Sequence, residues 1–204
     1  SAIQEFIDAR ASDTSIPWVL GITGTGLART YDGTTLRSGG QLTANAWNHV
    51  VWVRASNVNT VYVNGVSGHT WTATLDMGST KPLVIGNNVG PTSEPFTGYM
   101  SNLRIVKGTA VYTAAFTPST TPLTAITNTQ FLLSAGTLGT YLTDSSTNAF
   151  VTTPQTTITW NSLTPFVSTN QHVIDYWSSA ESASYKSYIK TTGAMTFAIG
   201  SSDI

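Results

Sequence analysis

WNHVVWVRASNVNTVYVNGV, residues 47–66, contains two apolar, β-branched runs separated by a short polar segment. In the first run, Val51 and Val53 fall on one side of an extended chain, while Val50 and Trp52 fall on the other. A strand with apolar groups on both faces is typical of the middle of a covered sheet. We therefore predict a central strand here. The tryptophans of the region are interpreted as core aromatics: Trp47, Trp52 and Trp71.

Turn residues follow each of the two runs. The pair Asn64-Gly65 tolerates the positive φ angles of a type I′ two-residue turn, so Val61 and Val63 should pair with the residues that follow. The polar stretch ASNVN, residues 55–59, is rich in turn formers. These signals predict an antiparallel meander.

Alternating runs bounded by turn residues recur through the first half of the chain. Charged residues make up only 9% of the sequence, while 40% is hydrophobic, a composition that favours strands and supplies a core. Short strands at this spacing predict an all-β sandwich or barrel. The glycine pattern GITGTGLA, residues 21–28, precedes no helix and no lysine, so we interpret it as a hairpin turn and not a phosphate loop. The remaining runs are QEFIDAR, PWVLGIT, LARTYDG, HTWTATL, PLVIGN and YMSNLRIV.

Several function classes find no support in the composition. A net charge of −1 with nine scattered basic residues gives no footprint for nucleic acid. We also expect no membrane insertion, since no run reaches the roughly 20 apolar residues of a membrane helix, and SAIQEFIDAR does not resemble a signal peptide. The absence of cysteine excludes disulfides, thiolate catalysis and cysteine-based metal sites.

The pattern changes after Phe116. Prolines among threonines in TPSTTPLTAITNTQ favour extended chain on the surface, held by apolar anchors such as Leu123, Ile126, Phe131 and Leu132. We predict three parts: a sandwich over 1–117, a strap over 118–169, and a short β segment over 170–204. The last part docks on the sandwich, begins another module, or pairs between subunits.

The order of motifs resembles the laminin-G-like branch of the concanavalin A-like lectin/glucanase superfamily. GYMSNLRIVKGTAVYT (98–113), Phe-Thr-Pro (116–118) and LTDSSTNAFVTT (142–153) are more narrowly similar to the domain found in structural and tail-fibre proteins of marine tailed bacteriophages. The resemblance runs from about Gln4 to Phe166. It implies an antiparallel jelly-roll sandwich on a virion surface, in contact with other virion proteins and copies of itself, with adhesion to host-surface glycans. A free secreted carbohydrate-binding, lectin-like domain is the alternative.

One departure from this family concerns the first strands. Its members begin with a further strand and an F-T-x-E-F-W strand ahead of the residues that match QEFIDAR, and nothing here corresponds to them. Since unpaired strand edges seek partners, we predict that the N-terminal strand lies beside chain from outside these 204 residues.

The sequence does not predict catalysis. The glucanases of the superfamily use paired acids on one strand, whereas Glu5, Glu94 and Glu181 are each isolated, and Glu5 and Asp8 are three apart, which places them on opposite faces of a strand. His49, His69 and His172 lack zinc-ligand spacing, and no G-x-S-x-G motif occurs. We expect a non-enzyme, and we interpret His49 as a hydrogen-bonded structural histidine.

Two kinds of binding site remain to be considered. Sugar sites combine an exposed aromatic with amides and hydroxyls, and the candidates are Trp18, Tyr31, Asn87, Asn88 and Tyr99. Calcium needs several oxygens, including more than one carboxylate. Its candidate ligands are Asn87, Asn88, Glu94, Asp32 and Asp76, but they do not form the acidic run of pentraxin relatives. We expect no cofactor, with calcium as the alternative.

Overall fold

The computed structural model describes residues 2–10, 18–74, 83–89, 94–134, 137–154, 157–166 and 194–201. These residues form eleven strands and no helix, so the described part holds no helical segment able to cross a membrane. The strands are β1 (Gln4–Asp8), β2 (Val19–Ile22), β3 (Leu27–Tyr31), β4 (Leu36–Gln41), β5 (Asn48–Ala55), β6 (Val58–Val63), β7 (Val66–Thr72), β8 (Val84–Ile85), β9 (Tyr99–Lys107), β10 (Thr129–Leu133) and β11 (Ala194–Ser201).

Two sheets pack face to face. One has the order β4-β3-β2-β1-β8 and the other has the order β10-β9-β11-β5-β6-β7. The core between them includes a cluster of tryptophans: Trp18 packs edge-on against Trp52 at 5.6 Å, and Trp71 lies 5.4 Å from Trp52. The prediction of an all-β sandwich is confirmed.

The quoted run 47–66 supplies the centre of the larger sheet, as predicted. Val50 and Trp52 belong to the core between the sheets, whereas Val51 and Val53 face the opposite side and are equally buried. On that side they pack against Leu123 and other side chains that the chain lays over the sheet after β9. Ile126, which was predicted to anchor the strap, is 39% exposed, so its side chain is not a buried anchor.

Both hairpin predictions are confirmed. Asn64 and Gly65 adopt φ angles of 52° and 81°, and Val63 pairs with Val66 across the turn. In GITGTGLA, the amide of Gly26 donates to the carbonyl of Thr23 with Gly26 at φ 86°, closing the β2–β3 hairpin.

The predicted surroundings of the N-terminal strand are wrong. β1 pairs antiparallel with β2 along one edge and with β8 along the other, so this chain flanks it on both sides. The backbone amide of Glu5 also donates to the carbonyl of Glu94. The unexpected strand pairing is in the other sheet, where β11 lies between β5 and β9 and runs parallel to both.

His49 differs from its interpretation in one respect. It is buried as expected, at 6% exposure, but neither ring nitrogen has a hydrogen-bond partner. The ring instead meets Tyr112 and Phe116 edge-on, at 6.2 and 5.5 Å. Apolar packing, not hydrogen bonding, holds it.

Candidate functional site

The loops at one end of the sandwich enclose a cavity of about 460 Å³, called here the end pocket. Its wall is formed by residues 22–26, 41–46 and 96–98, together with Gln4 and Asn48. Four separate parts of the chain meet there because the β2–β3 hairpin, the β4–β5 loop and the approach to β9 all close at this end. The volume lies in the range of small-molecule sites.

The wall of the end pocket is held by hydrogen bonds between side chains and the backbone. Gln41 Nε2 donates to the carbonyls of Gly26 and Leu42, at 3.0 and 3.1 Å, which ties the hairpin to the β4–β5 loop. Asn48 reaches back across the same loop, where it accepts from the amide of Thr43 and donates to the Ala46 carbonyl. The pocket is therefore pre-formed by the local fold.

The floor of the end pocket is apolar. It consists of Ile22, Leu42 and Phe96, which also pack in or against the core between the sheets. Phe96 is fixed by an edge-on contact with Phe6 at 5.4 Å. An apolar surface here can cover the hydrophobic face or substituent of a ligand.

The rim carries uncharged hydrogen-bonding groups. Gln4 Oε1 accepts from the Thr97 amide at 2.9 Å, and both residues line the pocket. Asn45 is exposed at the tip of the β4–β5 loop in the left-handed region, at φ 55°. None of the residues that line the pocket within the described ranges is charged. Amides and hydroxyls both donate and accept, the property that sugar hydroxyls require.

The sequence candidates for sugar binding do not lie at this pocket, and the five of them do not form one cluster elsewhere. The prediction of Trp18 as an exposed platform is wrong, because the residue is only 2% exposed and its ring packs in the core. Tyr31 donates its hydroxyl to the Gly33 carbonyl, and Asn88 is buried at 3% exposure with its amide bonded to Asn87 Oδ1. Tyr99 opens β9, half-buried. None of the five lines the end pocket.

The candidate calcium ligands do not form a cation site either. The Asp32 carboxylate accepts from the amides of Thr34 and Thr35 and pairs with Arg37. Asp76 lies outside the described residues. Among the residues that are described, no three acidic or histidine side chains converge in a way that could hold a metal ion.

Two glutamates that are distant in sequence meet in the fold. Glu5 is fully buried, pairs with Arg29 and lies beside the side chain of Glu94. Burial raises the pKa of Glu5 to about 8, an effect that Arg29 opposes and Glu94 reinforces. The description of these acids as isolated is therefore wrong for this pair. With no exposed surface, the Glu5 carboxyl offers a substrate no access.

A bulge explains a second error about these acids. The register of β1 against β2 shifts between Glu5 and Ile7, so Glu5 pairs with Gly21 and Asp8 with Val19. Gly21 and Val19 are two residues apart, which places Glu5 and Asp8 on the same face of the sheet. Asp8 is itself neutralised by Arg10 at 2.7 Å.

Comparison with known families agrees with this architecture. Residues 4–115, more than half of the chain, match a family model described as concanavalin A-like lectin/glucanases superfamily. The chain belongs to that superfamily. The matched range takes in β1 to β9 and every loop of the end pocket. Comparison with curated proteins and with solved structures gave no match. The predicted resemblance is confirmed at the level of this superfamily and its laminin-G-like branch.

Proposed function

We propose that this superfamily member is a non-enzymatic carbohydrate-binding module whose ligand is an uncharged saccharide held in the end pocket. The observation that carries the proposal is the lining of that pocket, an apolar floor of Ile22, Leu42 and Phe96 under a rim of amides and hydroxyls. Sugars present an apolar face and a ring of hydroxyls, which matches such a surface. Membership of a lectin and glucanase superfamily is compatible with this assignment.

The chemistry of the pocket supports binding without cleavage. General acid–base hydrolysis needs two carboxyl groups on either side of the scissile bond, and the described lining of the pocket has none. It equally offers no carboxylate to a calcium ion, so the proposed binding is independent of metal.

We place the module on the surface of a tailed-bacteriophage virion, as part of a tail fibre, appendage or capsid decoration that contacts host glycans. The support is the motif order in 98–113, 116–118 and 142–153, which resembles the domain of phage structural proteins. A free secreted lectin-like domain remains the second candidate, supported by the same superfamily membership. The two differ in assembly: the virion part should elute as an oligomer in size-exclusion chromatography, and the free lectin as a monomer.

A glycan array followed by a blocked pocket tests the binding. We expect one or more neutral glycans to bind, equally well with and without EDTA. Ala44→Trp adds a bulky side chain to the exposed lip of the pocket, and we expect it to weaken binding at least tenfold. Leu138→Trp is the matched control, because Leu138 is 69% exposed and does not line the pocket.

Three results would oppose the proposal. Absence of binding to any glycan would remove the carbohydrate function. Loss of binding in EDTA would contradict a metal-free site. Full affinity in the Ala44→Trp variant would move the binding surface away from the end pocket.

A further inference from the structure

The larger sheet contains a slot between β5 and β9 that is filled by β11. Within the described residues, β11 is the strand that runs parallel to its neighbours, and all the other pairings are antiparallel. Thr196 lies opposite His49 of β5 and opposite Ser101 of β9, and the register against β9 shifts between Thr196 and Ala198.

The slot cannot stand empty in water. β5 is buried along seven of its eight residues and β9 is buried over its second half. Without a strand between them, each would expose a row of backbone amides and carbonyls beside apolar side chains such as Val50, Trp52 and Leu103. Such an edge recruits any strand that fits. Whatever occupies the slot is therefore part of the folded core.

The connection to β11 is much longer than its end points require. Pro165 and Asn48 line the same small cleft, and Met195 of β11 is the register partner of Asn48. The chain thus leaves and re-enters at one end of the slot, with 27 residues, 167–193, between Phe166 and Ala194. At about 3.3 Å per residue these can span up to roughly 90 Å, enough to reach a neighbouring copy.

We propose that the slot is a strand-acceptor site through which copies of this chain join, each receiving β11 from another. The exchanged strand makes the same backbone bonds and the same contacts as its own strand would, so exchange costs little. Exchange competes with closure by the chain's own strand, and it is favoured when copies are held together at a local concentration of about a millimolar or more. This proposal is independent of the end pocket and its ligand.

Cysteine cross-linking tests the exchange, because the natural chain contains no cysteine. Ser101→Cys is placed in one chain and Thr196→Cys in a second, at positions that are Cα partners in the register. Neighbouring strands lie about 4.8 Å apart, within the Cα separation that a disulfide accepts. The two chains are mixed in denaturant, refolded together at about 0.01 to 1 mM and oxidised.

We expect a disulfide-linked heterodimer that increases with chain concentration. The control pair is Ser101→Cys with Ser201→Cys, since Ser201 lies opposite Lys107, six residues along β9. This pair should give at most a tenth of the product of the matched pair. A double variant, Ser101→Cys with Thr196→Cys in one chain, reports closure of the slot by the chain's own strand.

Each other outcome overturns the proposal. A closed monomer from the double variant, without heterodimer from the matched pair at any concentration, means that β11 fills only its own slot. Equal linkage of the matched and control pairs means that the two chains come into contact without a specific strand register between β11 and β9. Absence of all linkage means that β11 is not the occupant. Glycan binding is not part of this readout, so these outcomes leave the proposed function as it stands.

Discussion

The His49 side chain is a buried base without a hydrogen bond, packed edge-on against the stacked rings of Tyr112 and Phe116. Burial lowers its pKa from 6.5 to about 4, and the nearby Arg104 adds to the effect. Since the unfolded chain then binds the proton more readily than the folded one, stability should fall as the pH drops from 6.5 toward 4.

Replacing this histidine should remove that pH dependence. We expect His49 to lower the unfolding free energy of the natural chain by about 2 kcal/mol between pH 7 and pH 4.5. The unfolding free energy of the His49→Leu variant should therefore fall by about 2 kcal/mol less than that of the natural chain over the same range. Urea unfolding at the two pH values measures both. Equal losses in the two proteins would show that His49 does not titrate in this way.

Asp144 is a second residue whose surroundings fix its chemistry. One carboxylate oxygen accepts from the amides of Leu132 and Ser146, each at 2.9 Å, and the other accepts from the amide of Phe150 at 2.9 Å. Burial would raise its pKa, but these amide donors outweigh burial and lower it. The aspartate thereby fastens the segment 142–153 to β10.

Asp144→Asn should loosen that attachment. An amide cannot accept at both of its ends, so one buried backbone N–H loses its partner, at a cost of about 1 to 3 kcal/mol. Urea unfolding checks the value, with Ser145→Ala as the neighbouring control, since Ser145 is exposed and its bond to Leu132 uses the backbone. A cost below about 0.5 kcal/mol for Asp144→Asn would contradict the role.

At the scale of elements, the β6–β7 turn is locked to the segment that follows β9. The amide of Phe116 donates to the Gly65 carbonyl at 3.0 Å, and a Cβ added to Gly65 would lie 1.7 Å from the Phe116 carbonyl oxygen. Gly65 is therefore required by its φ of 81° and also by this close approach.

Two glycine substitutions separate those requirements. Gly86 has a similar φ of 77°, but an added Cβ would meet only Met100 Cε, at 3.8 Å. We expect Gly86→Ala to cost about 1 to 2 kcal/mol, the penalty of the left-handed conformation. Gly65→Ala should cost at least twice as much in urea unfolding. Equal costs would show that the contact with Phe116 does not constrain the turn.

Local chemistry explains which elements the sequence could predict. The β5–β7 meander follows from Asn64-Gly65 and from apolar residues on both faces of β5, and both signals are contiguous in the chain. β4, LRSGGQ, was missed because two glycines and an arginine interrupt its pattern. The bulge in β1 has no sequence mark either, since the register against β2 is set by tertiary pairing.

At the scale of the whole molecule, the end pocket could not be predicted from the sequence. Its parts are apolar and uncharged polar residues in four distant segments, none of which carries a binding motif when taken alone. Trp18, one of the aromatic residues that suggested a sugar platform, is buried in the core. The site emerges only when the two sheets bring their loops to one end.

The most direct test of the carbohydrate-binding account is to locate the ligand on the folded chain. An isotopically labelled sample is titrated with a neutral glycan that binds on the array, and backbone amide shifts are followed by NMR. The account predicts that the largest changes map to residues 22–26, 41–46 and 96–98, around the end pocket. Changes confined to the outer face of either sheet, or to the strap, would contradict it.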